Sequence, residues 1–182
     1  MTIMVLLLVT ACPSPPAAVQ TAGNEARPPI IDMHLHAYSM ADGAVPPENP
    51  VTGRPPTCRT TAELREASLA ALARYNIVKA VTSGPAEISS QWRAAAPDRV
   101  LVGAYVDENN PLPDLAMLRA DILGGRVHVL GELVLQHLGM TPDDPRLEPY
   151  YALAEELDVP VGIHTGIGPP GTPYLPGLQG FR

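Results

Sequence analysis

The sequence predicts an α/β protein built on a parallel sheet, and three observations say so. Short β-branched, apolar segments alternate with longer segments of helical periodicity. The strand-like segments are apolar on both faces, as strands are when helices or a barrel interior cover them. Hydrophobic residues make up 46% of the 182, enough for one domain with a real core.

The elements follow in order. Residues 1–12, MTIMVLLLVTAC, form an apolar run of signal-peptide length, and 13–28 are a Pro-rich stretch with the composition of an extended tether. A first strand is expected over 30–38 (IIDMHLHAY), then a Pro- and Gly-rich loop over 39–59. The helix over 60–76 opens with Thr60 or Thr61 as N-cap and Glu63 in its first turn. A second strand covers 77–84 and ends in glycine, and a second helix over 86–97 stops at Pro97. Strand three is expected at 100–108, helix three at 113–125 and strand four at 127–136. Helix four spans 144–158, with Asp144 as cap and Pro145 at the first helical position. A fifth strand, 159–168, runs into a Gly- and Pro-rich end.

Each strand–helix unit takes roughly 26 residues, so a (β/α)8 barrel would need on the order of 200–250. Roughly 154 residues follow the tether, room for five strands and not for eight. The expected architecture is therefore a partial (β/α)8 TIM barrel, roughly its first five βα units, over a C-terminally incomplete domain at 29–182.

Charge and cysteine content narrow the function. The net charge is −7 and the pI about 5.1. Nucleic-acid binding needs clustered Lys and Arg to neutralise phosphates, and no such cluster is present. No apolar run reaches the roughly 18 residues that cross a bilayer. Val9-Thr10-Ala11-Cys12 resembles the lipobox of bacterial lipoproteins, although no Lys or Arg precedes the apolar run. The resemblance implies export, to the periplasm or to a membrane reached only through a lipid anchor on Cys12. Cys58, in a Pro-rich loop with no base nearby in sequence, reads as an incidental thiol.

The chemistry is concentrated in the first strand. Asp32, His34 and His36 alternate and so share one face. Burying three polar groups on one strand face is costly unless they have partners. A divalent metal resolves this for the two imidazoles, since histidines at i and i+2 near a strand end can each direct a nitrogen to one ion. Asp32 lies one step deeper and is expected to orient a ligand or neighbouring backbone.

Asp32-Met33-His34-Leu35-His36 resembles the DxHxH signature on the first strand of the amidohydrolase superfamily of metal-dependent TIM-barrel hydrolases. The segment from about 29 to 182 is similar to the N-terminal portion of the amidohydrolase-related group, amidohydrolase family 2, which also includes decarboxylases and lactone hydrolases. The resemblance implies further metal-linked residues at the ends of strands four and five. Glu132, in VLGELVLQ, matches the position of a Lys or Glu that bridges two metals in binuclear members; alone, it could equally cap a helix or pair with an arginine. His164, in VGIHTG, matches the position of a third histidine ligand. The implied cofactor is a divalent metal, zinc foremost, as one or two ions. The implied reaction is hydrolysis of an amide, ester or lactone bond in a small-molecule substrate by metal-activated water.

In the family the general base is an aspartate on strand eight, with a further histidine on strand six. Both positions would lie beyond Arg182, so the chain is expected to be a truncated and poorly active or inactive form. The alternatives are a metal-dependent decarboxylase of the same family and a non-catalytic metal-binding module. A nuclease with a similar metal pattern is disfavoured by the acidic charge. Of the remaining histidines, His128 begins its strand and is expected to be structural, whereas His137 falls in the loop after strand four. Trp92 is expected to pack in the core.

Overall fold

The structure is a computed structural model that describes residues 28–40, 48–49, 51–55 and 57–166. The expected signal segment with Cys12, most of the tether and the end of the fifth strand lie outside the described residues.

Among the described residues, five strands alternate with four helices: β1 (Ile30–His36), α1 (Thr61–Arg74), β2 (Ile77–Ser83), α2 (Ala86–Ala95), β3 (Val100–Val102), α3 (Leu115–Leu123), β4 (Leu130–Leu133), α4 (Glu148–Glu156) and β5 (Val161–Ile163). All pairings are parallel. β1 pairs β2 with His36 opposite Ser83, β2 pairs β3 with Thr82 opposite Val102, and β4 pairs β5 with Leu133 opposite Ile163. Between β3 and β4, isolated parallel bridges join Gly103 to Val129 and Val106 to Leu133. The strands thus lie side by side in chain order, which is compatible with an arc of a (β/α)8 barrel.

The helix starts follow from side-chain chemistry. Thr60 accepts a hydrogen bond from the Glu63 N–H, and the Glu63 carboxylate reaches back to the Arg59 N–H, close to a capping box. Asp114 accepts from the N–H groups of Ala116 and Met117 at the start of α3. Asp144 does cap a helical segment, but a 3₁₀ turn (Pro145–Leu147) rather than the α-helix itself. α4 begins one residue later with Pro149 in its first turn, where a missing N–H costs nothing. Strand four is shorter than its apolar run, because a 3₁₀ turn (Leu135–Leu138) takes over its last residues.

Two clusters form the core. The larger gathers Val106, Leu118, Leu130, Leu133, Leu135 and Leu147 among others under α3 and α4; the smaller packs Trp92 against Ala37 and Val100. Trp92 is fully buried, as expected. β1 departs from the expectation of strands covered on both faces: Ile31 and Met33 are 59% and 57% exposed, and His34 and His36 are exposed as well. β1 pairs only with β2 among the described residues, so one flank has no neighbour.

Glycines set how closely the central strands approach. A Cβ on Gly103 would run into the Gly131 carbonyl oxygen and come within 2.6 Å of the Thr82 oxygen. Gly131 sits at φ +152°, and its Cβ would meet the Gly162 oxygen at 2.6 Å. Below the site this leaves a cavity of about 170 Å³, bordered by His34, Ser83, Glu132 and Gly131.

Candidate metal centre

The sequence-predicted residues emerge at the carboxyl ends of their strands, where parallel α/β proteins keep their sites. His34 and His36 fall within the last three residues of β1, Glu132 is the third of the four residues of β4, and His164 directly follows β5. The strand alternation turns the two imidazoles the same way, with ring centroids 4.4 Å apart. Asp32 plays the supporting part expected of it, since its Oδ1 accepts the His34 backbone N–H at 3.0 Å.

Glu132 gathers the others. Its Oε2 accepts the Ser83 hydroxyl at 2.5 Å and lies 2.9 Å from His34 Nε2, while its Oε1 lies 2.5 Å from His164 Nδ1. Burial alone would raise the Glu132 carboxyl. The hydrogen bonds from Ser83 and His164 and the charge of His34 outweigh it and hold the group below its ordinary value. A carboxylate only accepts, so His34 Nε2 and His164 Nδ1 both carry protons. The other ring nitrogen, His164 Nε2, is buried and has no hydrogen-bond partner among the described residues. Burial, and then the neighbouring His34, push the His36 imidazole below its ordinary value and favour the neutral form.

These donors fit a divalent metal. His34, His36 and Glu132 each offer one ligand atom, all within 4.8 Å of one another. Two imidazole nitrogens and a carboxylate oxygen suit zinc and its first-row neighbours. His164 stands outside that group of three and is tied to it through Glu132. Its unpartnered Nε2 is what a ligand nitrogen looks like when buried without its ion.

Ser83 was not among the sequence-predicted residues. It ends β2, sits opposite His36 in the register and is almost fully buried. Its signal was the strand end itself: a hydroxyl just before Gly84, at the level of the His-x-His pair. The other histidines go elsewhere. His128 Nδ1 accepts the Val102 N–H, a structural bond, and burial followed by the Arg93 charge lowers its pKa. His137 Nδ1 lies 2.7 Å from Glu108. Cys58 is a half-buried free thiol.

No curated protein and no solved structure matches the chain. A model of the amidohydrolase family matches residues 31–180, a span that holds every residue of the candidate centre. By that match the chain belongs to the amidohydrolase family, which supports a function of the metal-dependent hydrolase type.

Proposed function

We propose that the chain carries the metal centre of a hydrolase acting on an amide, ester or lactone bond of a small molecule. His34, His36, Glu132 and His164 would hold zinc, on an arc of the first five units of a (β/α)8 barrel. The convergence of His34, His36 and Glu132 donor atoms within 4.8 Å is the observation that carries this reading.

In this reading the chain's own residues hold and orient. His34 and His36 offer imidazole nitrogens from the same strand, and the Asp32 carboxylate accepts the backbone N–H of His34. Glu132 contributes charge, and its two oxygens keep the imidazoles of β1 and β5 within reach of each other. Ser83 fixes the plane of that carboxylate. A divalent ion held by His34, His36, Glu132 and His164 would supply Lewis acidity and make a water at the site more acidic.

The test uses the full chain. Elemental analysis should find zinc, manganese or iron, and turnover of an amide or lactone panel should vanish on chelation and on His34→Ala. A metal-free preparation, or turnover that survives both treatments, would refute the assignment. A second reading has one observation in its favour. Glu132 is already satisfied by Ser83, His34 and His164, as it would be in a module that captures metal without chemistry. Bound metal without turnover on any of these substrates would select it. For the N-terminal segment the proposal is export with lipidation of Cys12. Cys12→Ser should then abolish incorporation of labelled fatty acid, and incorporation that persists would exclude that anchor.

A further inference from the structure

Three of the four candidate ligands have a hydrogen-bonded partner that fixes their orientation. His34 and His164 each rest on Glu132, and Glu132 rests on Ser83. His36 is the exception, because its ring makes no hydrogen bond among the described residues. A metal-binding imidazole is ordinarily oriented through its second nitrogen. Something else must hold this one.

The ring contacts supply it. Tyr38 stands two residues beyond the last residue of β1, and its ring lies flat against that of His36. The centroids are 4.6 Å apart and the planes 13° from parallel. That is stacked geometry within the contact range of aromatic pairs. The backbone around Tyr38 is anchored although the strand has ended. Ala37, fully buried, donates its N–H to the Ser83 carbonyl at 2.8 Å. This approach is open only because Gly84 has no Cβ, which would otherwise collide with the Ala37 carbonyl. On the far side the Met40 N–H donates to Thr61 Oγ1 at 2.9 Å. Tyr38 itself is 53% exposed. A large aromatic ring held over an imidazole and left half in solvent is poorly explained as core packing.

We infer that Tyr38 is a positioning residue of the centre, fixing the His36 ring plane by stacking where the other ligands are fixed by hydrogen bonds. The inference rests on the metal-centre reading. It makes the flat ring, and not the phenolic hydroxyl, the functional part. Tyr38→Phe should therefore behave as wild type, and Tyr38→Ala and Tyr38→Leu should not.

The experiment titrates zinc into the full-length chain against a chromophoric chelator, with cobalt spectra as a second readout of ligand geometry. Wild type and Tyr38→Phe should bind alike. Tyr38→Ala and Tyr38→Leu should bind about tenfold more weakly and give altered cobalt spectra, with thermal midpoints near wild type because the residue is exposed. Alanine and leucine variants that bind within twofold of wild type would overturn the inference, as would a phenylalanine variant impaired as much as alanine. The metal-free protein gives an independent check. The His36 ring protons should be ring-current shifted in wild type and Tyr38→Phe and move in Tyr38→Ala; identical resonances in all three would overturn the stack itself. Wild type that binds no metal but shows the ring-current shift would sink the metal centre, and the positioning role with it, while leaving the stack standing.

Discussion

At the scale of single residues the centre is organised by hydrogen bonds to carboxylates. Glu132 takes three partners on two oxygens, and Ser83 supplies the only hydroxyl among them. Ser83→Ala removes that bond and frees the carboxylate to rotate, so metal affinity should fall about tenfold. Competition titration would show it, and Ser83→Thr, which keeps the hydroxyl, should retain most of the affinity. Equal affinity in all three proteins would remove Ser83 from the site. Asp107 shows the same economy in a structural role. It accepts from the Tyr105 hydroxyl, the N–H groups of Asn109 and Asn110, and the Asn110 amide. Burial raises its carboxyl, but the bonds from Asn110, Tyr105 and the backbone outweigh this and hold it below the ordinary 3.8. The unfolded chain then binds the proton more readily, so this stabilisation is present above about pH 3.8 and is lost as pH falls through the lower folded value. Denaturant unfolding between pH 2.5 and 6 should give a shallower acid slope for Asp107→Asn than for wild type. The His-x-His pair and Asp32 were legible in sequence because alternation is a local property. Ser83 and Tyr38 were not, because their partners sit on other strands or depend on ring orientation beyond a strand's last residue.

Among the elements, type and order were legible and extents were not. Apolar β-branched runs and capped helical windows mark where strands and helices lie, and all nine elements occur in the predicted order. The regular part of β3 is nonetheless only Val100–Val102, with one bridge at Gly103 and another at Val106. At Gly103 three strands come close together, a tertiary fact that composition does not carry. Gly103 is the residue that permits it, since its missing Cβ occupies the space of the Gly131 carbonyl. Gly103→Ala should therefore force β3 away from β4 and destabilise the protein by about 1–3 kcal/mol or more. Gly162→Ala is the matched comparison, because a Cβ there meets nothing within 4 Å. It should leave stability unchanged or slightly raised through the unfolded chain. Thermal or urea unfolding that ranks the two variants equally would contradict this account of the strand packing.

For the whole molecule, the unequal cores and the candidate site belong to one argument. The larger cluster lies under β4, α3 and α4, whereas β1 is, among the described residues, an edge strand with exposed apolar side chains. Local opening should be easiest at β1. Yet β1 carries His34 and His36, and β4, three places away in the strand order, carries Glu132. In a flat sheet those strands would stand about 14 Å apart, three spacings of about 4.8 Å. A 2.9 Å contact between their side chains requires the sheet to curl, and it spans the concave side from β1 to β4. The sequence pattern named both ends of that link, and the expected barrel arc implies a curl, but neither says which side chains that curl brings into contact. An ion shared by His34, His36 and Glu132 would fasten the edge strand to the main core. At a concentration 100 times its dissociation constant, it would add about 2.7 kcal/mol to the folded state. Hydrogen exchange should locate that gain. Without metal, the β1 amides that pair with β2 should exchange faster than those of β4 and β5. With saturating zinc, β1 should slow by up to about a hundredfold if it opens by breaking the centre, and β4 and β5 amides that exchange only through global unfolding should slow by about the same factor. His34→Ala should remove the slowing of β1. Zinc protection confined to β4 and β5, with β1 exchange unchanged, would mean that the imidazoles of β1 do not hold the ion.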